Sequence, residues 1–236
     1  AFASSSLWAD QQGSLDVAAW SGWQKRRFQL SNEVDLPSTV GFLWPMTHGS
    51  GGLSLGAPRW FACEALAPVY VRAAVLSNDE YFVLLSTACP TLTVVTVPSS
   101  GEFLNDAGGY DGPTVNLADA GVQSYLVHGA LGTPAVPPTV KPLGPADPFA
   151  GAIAVDRARD AVWVALSGAT GEQAIHQLRA STSSISASLT WLGGPGDRLE
   201  SLAVDSRGNA CAVGSARQAF SIDDAGYTPK GNGDAL

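Results

Sequence analysis

The chain has 236 residues, of which 45% are hydrophobic and only 14% are charged, and its formal net charge is −8. This length and hydrophobic share suffice for a packed core in one domain or two small ones, and they exclude a largely disordered chain. The acidic balance argues against non-specific binding to nucleic acid or to an anionic membrane surface, because both need a basic face. No apolar run approaches the roughly 18 to 20 residues of a membrane span.

The first 60 residues combine aromatic and basic side chains that suit a protein interface. Five of the seven tryptophans lie there, together with a run of three basic residues. Tryptophan is favoured as an interface anchor, and a basic run in an acidic chain can bind a partner's carboxylates or phosphates. The alternative places the tryptophans in the core and the basic run on a solvated strand. The candidate interaction residues are Trp8, Trp20, Trp23, Lys25, Arg26, Arg27, Trp44 and Trp60.

Strand signals dominate the rest of the chain. Residues 69–75, 81–86 and 91–97 are rich in Val, Tyr, Phe and Thr, and turn-forming residues separate them. Helix signals are scarce, because 26 glycines and 15 prolines interrupt the stretches that could keep the apolar spacing of a helix. The sequence therefore predicts an all-β fold.

The chain also repeats one pattern, in which an apolar pair is followed by a polar turn and an apolar strand. Copies occupy residues 74–84, 153–164 and 202–213, and a fainter copy occupies residues 115–127. The repeats are anchored on Val75, Leu117, Val155 and Val204, and successive anchors are 42, 38 and 49 residues apart. A period near 40 residues is about that of a four-stranded propeller blade.

The copy with the sequence LAVDSRGNA, at residues 202–210, resembles the NHL-like hairpin of bacterial-type β-propeller repeats. The copy anchored on Val155 keeps the Ala-Val-Asp start but has Arg159 and Asp160 where the other has Gly and Asn. The resemblance implies a β-propeller, for which this length allows five to six blades. Residues 1–60 contain no clean copy, and a β-sandwich or jelly roll built from similar hairpins is the alternative.

Residues 132–148 contain six prolines in 17 positions. Proline has no backbone N–H to donate, so this segment cannot form a central strand and should run extended. We expect a surface strap across a single domain of residues 1–236. The alternative makes the segment a linker between subdomains at residues 1–131 and 149–236.

The three cysteines, Cys63, Cys89 and Cys211, include no pair with the spacing of a zinc or redox motif. We expect three buried thiols, and a Cys63–Cys89 disulfide is the alternative.

Residue patterns that carry chemistry are weak in this chain. His48 lies in a Gly-rich stretch that lacks the spacing of a hydrolase nucleophile, and His128 and His176 are expected on the polar faces of strands. Residues 105–112 have the composition of a calcium loop without the spacing of an EF-hand. Phosphate-binding motifs are absent from the sequence. The sequence therefore predicts no catalytic residue, no metal and no cofactor.

The preferred interpretation is a non-catalytic structural or protein-interaction module. We expect it to be a subunit or surface component of a larger assembly such as a virus capsid, located on a virion surface or in an extracellular or lumenal space, with other proteins as its partners. The alternative is a carbohydrate-binding protein or hydrolase of the propeller type. It would need Asp79, Asp156 and Asp205, with His128 or His176, to supply at least two acids and a histidine at one central channel.

Overall fold

The computed structural model describes residues 3–9, 14–20, 26–29, 33–36, 41–49, 52–63, 67–77, 79–96, 112–117, 121–133, 136–145, 151–168, 170–217, 219–222, 225–227 and 234–235. The chain divides into two compact units, Ala1–Pro142 and Leu143–Leu236, which are described separately. The division falls inside the Pro-rich segment at residues 132–148. Whether that segment is a strap or a linker stays a prediction.

The described residues form β-strands throughout, with one 3-10 helix at Arg157–Arg159. The strands are β1 Ala3–Ala9, β2 Ser14–Trp20, β3 Arg26–Gln29, β4 Glu33–Leu36, β5 Gly41–Gly49, β6 Gly52–Leu55, β7 Arg59–Cys63, β8 Val69–Ser77, β9 Glu80–Thr87, β10 Thr91–Thr96, β11 Thr114–Asn116, β12 Gln123–Ala130, β13 Thr139–Pro145, β14 Gly151–Asp156, β15 Ala161–Ser167, β16 Glu172–Arg179, β17 Ile185–Leu192, β18 Arg198–Val204, β19 Ala210–Ala216, β20 Phe220–Ile222, β21 Ala225–Tyr227 and β22 Asp234–Ala235. The prediction of an all-β fold is confirmed.

The first unit contains two main sheets that share one core. One sheet has the order β1-β2-β5-β7-β10-β11, with β6 paired to β5, and the other has the order β13-β12-β9-β8. Strands β3 and β4 form a separate hairpin. Strand β9 is paired on both sides, and its residues from Tyr81 to Thr87 are all buried. Its near-continuous apolar run is therefore that of a strand covered on both faces.

The core of the first unit draws on both of these sheets. Its aromatic contacts include Phe61 of β7 and Tyr81 of β9, whose ring centroids lie 6.3 Å apart in an edge arrangement. The buried side chains of the cluster are Leu43, Phe61, Cys63, Val69, Val71, Ala74, Leu76, Tyr81, Val83, Leu85, Cys89, Leu92, Val94, Tyr125 and Val127. Burial of this apolar surface is the main favourable term that holds the two sheets together.

The Pro-rich segment contributes strand β13, which is the edge strand of its sheet. This position explains how Pro142 and Pro145 fit into a strand, because an edge strand can do without one row of N–H donors. Just before the segment, the Leu131 N–H donates to the carbonyl of Asp79 at 2.7 Å. The buried Arg59 guanidinium also donates to the Leu131 carbonyl, so both backbone polar groups of Leu131 are hydrogen-bonded just before the segment begins.

The second unit contains a four-stranded antiparallel sheet and a smaller sheet that pack on each other. The order of the first is β14-β15-β16-β17, so consecutive strands are neighbours, and the order of the second is β18-β19-β22. Strands β20 and β21 form a further hairpin. The packed faces share the buried residues Ala152, Ala165, Leu199 and Leu202 and the partly buried residues Ala154, Trp163, Ile175, Trp191 and Ala212.

Three of the four sequence repeats are hairpins, and the fourth is not. The copies at residues 74–84, 153–164 and 202–213 form the hairpins β8–β9, β14–β15 and β18–β19. The fainter copy at residues 115–127 was a wrong prediction, because its two strands belong to different sheets. Strand β11 pairs with β10, and β12 pairs with β9.

The consecutive order of β14 to β17 is that of one propeller blade. In the first unit the order is different, because β10 and β11 lie between β9 and β12 in sequence but belong to the other sheet. The propeller, its blade number and the resemblance to NHL-like repeats stay predictions.

The cysteines differ from the expectation of three buried thiols. Cys63 and Cys89 form a disulfide, and Cys211 on β19 is an exposed free thiol. The pairing of β7 with β10 sets Cys63 opposite Leu92, which brings Cys89 close to Cys63 at the start of β10. The sequence could not show this proximity, because the two strands are brought together by sheet pairing and not by a local motif.

Replacing both bonded cysteines, in a Cys63→Ser/Cys89→Ser variant, is expected to lower the free energy of unfolding by about 3 to 4 kcal/mol. This is the chain-entropy value for a loop closed over a separation of 26 residues. The measurement is urea unfolding followed by tryptophan fluorescence. The control, Cys211→Ser, replaces an exposed thiol and should change the free energy by less than about 0.5 kcal/mol. Equal stability of the double variant and the control would contradict the disulfide.

Candidate interaction site

The second unit contains an apolar cavity of about 320 Å³ between its two packed sheets, here called the groove. One wall comes from β15, β16 and β17, and the other from β18 and β19. The lining residues are Trp163, Ile175, Gln177, Ala187, Ser188, Leu189, Leu202, Ala210 and Ala212. Only Gln177 and Ser188 carry polar side chains in this set.

Strand register explains why the side chains of the first wall other than Ser188 share one face of the sheet. Residues directly opposite each other in neighbouring strands point to the same face of a sheet. Trp163 lies opposite Gln177, which lies opposite Ala187, and in the next row Ile175 lies opposite Leu189. The small side chain of Ala187 ends the first row.

The second wall is lined by small residues as well. On it, Leu202 lies opposite Ala212, and Ala210 is two residues away on the same face of β19. Two alanines against the Trp163 side leave unfilled space, so the groove stays open where a larger pair of side chains would have filled a core.

A buried hydrogen-bond chain sets the separation of the two walls at one end. The Ser167 hydroxyl, at the end of β15, donates to Gln173 Oε1 at 2.7 Å. Gln173 Nε2 donates to the Asp197 carbonyl at 3.0 Å, and the Leu199 N–H donates to Ser167 Oγ at 2.8 Å. All of these groups are buried, so losing one partner would leave an unsatisfied polar atom.

A second contact ties the walls at the opposite ends of β15 and β18. Arg159 Nη1 donates to Asp156 Oδ2 at 2.8 Å, and Nη2 donates to the Ser206 carbonyl at 3.0 Å. The same side chain lies against Gly208, where an added Cβ would be 2.6 Å from its Cδ and Nε atoms. Arg159 and Gly208 belong to the two Ala-Val-Asp repeat copies, so the repeats are joined through their turns.

The turn between β18 and β19 follows from its local sequence. Asp205 Oδ1 accepts the N–H groups of Arg207 and Asn209 at 2.8 and 2.9 Å, and Gly208 adopts a φ of +89°. Hydrogen bonds from the side chain and backbone of Asn209 lower the pKa of Asp205 below its usual value. The hydrogen bonds that Asp205 accepts from the backbone therefore explain why an acid occupies this turn, as expected for Asp in a tight turn.

Strand β17 has one edge with no sheet pairing in the described part of the chain, here called the β17 edge. Among the residues that the structure describes, β17 is paired only with β16, on its other side. Its sequence, ISASLTWL, contains no charged residue and no proline. Ile185 and Leu192, at its two ends, are 42% and 68% exposed. Edge strands of soluble proteins are usually protected by charges, prolines or covering elements; β17 has a bulge near its start, and β20 contacts it.

His176 lies in the middle of the sheet, one strand away from this edge. A 2.8 Å hydrogen bond joins its Nδ1 to Ser188 Oγ on β17. Burial lowers the pKa of His176, and the backbone of Leu143 opposes part of this shift. No hydrogen bond or ion pair in the described part of the chain joins this imidazole to a carboxylate.

The remaining residues of the enzymatic alternative have local partners. Asp79 lies in the β8–β9 turn with a φ of +62°. His128 Nε2 lies 3.3 Å from Glu80 Oε1, and its ring stacks on Phe82 with centroids 4.3 Å apart. These contacts belong to the first unit, whereas Asp156, Asp205 and His176 belong to the second. The described contacts do not bring the set together, and the alternative stays a prediction.

The sequence-predicted interaction residues are only partly described. Trp60 is 1% exposed and packs on Phe42 with ring centroids 4.9 Å apart. For Trp60, the alternative that the tryptophans lie in the core is therefore correct. Trp44 is partly buried, and its Nε1 donates to the Gly56 carbonyl at 2.9 Å. The others are Trp8, Trp20, Arg26 and Arg27, whose strands but not side chains are described, and Trp23 and Lys25, which lie outside the described residues. Their role at an interface stays a prediction.

Two further expectations concern loops. His48 lies within β5, opposite Leu53 of β6, so the described part of its Gly-rich stretch belongs to two paired strands. Residues 105–111 of the candidate calcium loop lie outside the described residues. Within the described ranges, no group of three or more His, Cys, Asp or Glu side chains could hold a metal ion. The same ranges contain no helix with the length and apolar character needed to cross a membrane.

The chain matches no protein-family model. It also matches no curated protein.

Sequence reasoning missed the groove and the β17 edge. The alternation of Ala187, Leu189 and Trp191 is a strand signal, but the sequence does not show which sheet faces this strand. The absence of charge in ISASLTWL was visible from the sequence and is the signal that would have directed attention to this strand.

The turn contact predicts that Gly208→Ala lowers the free energy of unfolding by more than backbone strain alone. A residue other than glycine at this φ costs about 1 to 2 kcal/mol, and the new Cβ also displaces Arg159. Gly121→Ala is the matched control, because Gly121 has a φ of +76° with no atom within 4 Å of an added Cβ. In an Arg159→Ala background, the cost of Gly208→Ala should fall to that of the control. Equal costs in both backgrounds, measured by urea unfolding, would refute the contact.

The burial of His176 predicts a loss of stability in mild acid. Its folded-state pKa lies below the unfolded value, so the unfolded chain takes up the proton first as the pH falls. Stability is full above about pH 6.5 and declines as the pH falls towards the folded-state pKa, by at most about 1.4 kcal/mol per pH unit for one proton. His176→Asn, measured by urea unfolding between pH 8 and 5, should remove this slope. A slope unchanged in His176→Asn would overturn the assignment.

Proposed function

We propose that this chain is a non-catalytic protein-interaction module that serves as a subunit or surface component of a larger assembly. The observation that supports the proposal is the β17 edge, which belongs to an uncharged eight-residue strand, has no sheet pairing among the described residues and borders an apolar groove. A partner would bind there by adding a strand to the sheet and by placing side chains in the groove.

The physical argument concerns both backbone and side chains. An open edge presents a row of backbone donors and acceptors that another strand can pair with. The exposed Ile185 and Leu192 would lose water-accessible apolar surface on the same event. Backbone pairing and apolar burial therefore favour the same kind of partner, an extended protein segment.

The lining of the groove favours a protein segment over a sugar. Seven of its nine lining residues are apolar, and Gln177 and Ser188 are the polar ones. Ser188 already shares a hydrogen bond with His176. A sugar would bring many hydroxyl groups into this space without enough partners, which costs free energy for each group left unpaired.

The disulfide supports the proposed location on a virion surface or in an extracellular or lumenal space. Cys63 and Cys89 are bonded, and structural disulfides form and persist mainly in oxidising surroundings. A subunit that works outside the reducing cytosol would keep this bond.

The native mass of the source material tests the proposal. We expect a particle far heavier than the 24.3 kDa chain, measured by native mass spectrometry or sedimentation. Hydrogen exchange should show the amides of β17 exchanging quickly in the isolated chain and slowly in the particle, because the partner covers this edge. The amides of β12, which is paired on both sides, are the control and should be slow in both. A monomer in the source material would refute the proposal.

A further inference from the structure

We propose that the groove binds a small, neutral and mostly apolar molecule that carries one hydrogen-bond acceptor, such as a ketone or an ester. The site is the space between the two walls and does not use the β17 edge. The inference goes beyond the proposed function, because the ligand is a small molecule and not a protein partner. It rests on the volume of the groove, on the chemistry of its lining and on one side-chain amide.

The groove has room for a small molecule. Its volume of about 320 Å³ is roughly twice that of an apolar cavity of about 150 Å³, which is large enough to bind benzene. The hydrogen-bond chain through Gln173 joins the two sheets at one end, and the contact of Arg159 with the Ser206 carbonyl joins them at the other. A ligand therefore does not have to open the space before it enters.

The lining favours an uncharged ligand. Seven of the nine described lining residues are apolar, and none of the nine carries a charge. A carboxylate, phosphate or ammonium group would lose hydration here without an opposite charge to replace it. An apolar body gains free energy instead, because Trp163, Ile175 and Leu189 are only partly buried and would be covered together with the ligand.

Gln177 supplies the polar contact. The Ser186 hydroxyl donates to the Gln177 backbone carbonyl at 2.9 Å and also lies 3.4 Å from Gln177 Oε1. Within the described residues, Gln177 Nε2 has no hydrogen-bond partner, and it is not a buried atom, so a ligand can reach it. Ser188, the other polar residue of the lining, already shares a hydrogen bond with His176 Nδ1. The groove thus offers an N–H donor, whereas its side-chain acceptors are already engaged.

This pattern selects the functional group of the ligand. A ketone or ester has an acceptor and no donor, so its oxygen can accept from Gln177 Nε2 with no polar group left over. An alcohol would bring a hydroxyl hydrogen that needs an acceptor, and a hydrocarbon would leave Nε2 unpaired. Trp163 lies directly opposite Gln177, so the apolar body beside the acceptor would lie next to the indole.

Three matched probes test the ligand class. Acetophenone, ethylbenzene and benzoate share a ring and carry a carbonyl, no oxygen and a charge, respectively. We expect acetophenone to shift the indole N–H signal of Trp163 in a heteronuclear NMR titration of the full chain, with a saturable Kd of about 1 mM or lower. Ethylbenzene should bind about fivefold more weakly because it accepts no hydrogen bond, and benzoate should cause no shift. Trp163→Phe identifies the signal.

Two outcomes of this titration would contradict the proposal. A chain that acetophenone does not saturate has no such site. Binding of benzoate as tightly as acetophenone would show that the groove does not select uncharged molecules, and equal binding of ethylbenzene would remove the acceptor from the proposed ligand.

Variants of the lining test the location. Ala212→Leu fills the groove from β19 and should weaken acetophenone binding at least about tenfold. Ala203→Leu is the matched control, because Ala203 is exposed on β18 outside the lining, and it should leave the Kd unchanged. Gln177→Met keeps a side chain of similar length without the donor, so acetophenone should bind it no better than ethylbenzene does. Circular dichroism checks the folding of each variant.

Unchanged acetophenone binding in Ala212→Leu would place the probe elsewhere and overturn the site. Unchanged binding in Gln177→Met would overturn the role of the amide, and this variant remains informative if Ala212→Leu does not fold.

The outcomes separate this inference from the proposed function. The native mass of the source material does not depend on whether the probes bind. A chain that belongs to a large particle but binds no probe loses the small-molecule site and keeps the proposed function. A monomer that binds acetophenone through Gln177 keeps the site and loses the proposed function.

Discussion

The hydrogen-bond chain from Ser167 through Gln173 to the backbone of Asp197 is the interaction on which the second unit depends. It joins the end of β15 and the start of β16 to the strand that begins the other sheet. Because its members are buried, each bond is maintained by the cost of leaving a polar group unsatisfied, and not only by its own strength. The two sheets therefore keep a fixed separation, and the space between them does not collapse around Trp163.

A fixed separation explains why small side chains and an open groove occur together. If the walls could approach, Ala187, Ala210 and Ala212 would allow closer packing and the groove would be filled by the chain itself. The contact of Arg159 with Ser206 at the opposite end resists the same movement. The unit thus presents a preorganised surface, and a binding segment would not have to order the groove before occupying it.

Local chemistry could be predicted from the sequence, and long-range placement could not. The β18–β19 turn was readable because Asp205 and Gly208 satisfy its geometry within five residues. The all-β fold was readable from composition and alternation. The prediction of a hairpin at residues 115–127 was wrong because a short apolar run does not specify its pairing partner, and β11 pairs with β10 in another sheet. For the same reason, the Cys63–Cys89 bond could be given from the sequence only as the alternative to three buried thiols.

The groove could not be predicted from the sequence either, because nothing in the sequence shows that its two walls face each other. The alternating face of β17 follows from its sequence, but the wall that faces it comes from β18 and β19, and only the fold brings these strands together. Residues 1–60 were predicted to contain an interface because they are rich in tryptophan, but Trp60 is a core residue. Composition identifies residues capable of binding, whereas exposure and neighbouring strands decide whether they are placed to do so.

The pairing of Arg159 with Gly208 has a consequence for how such repeats can be multiplied. The two residues occupy the same position in their respective copies, 49 residues apart like their valine anchors. One copy therefore supplies the side chain and the other supplies the space for it. If a third hairpin followed residues 202–213, the second copy would present Gly208 to it, and glycine has no side chain with which to repeat the Arg159 contact. This contact therefore runs in one direction, from the first copy to the second, and cannot continue to a third. Extending the series would first require a long basic side chain at position 208, and that residue could no longer receive Arg159.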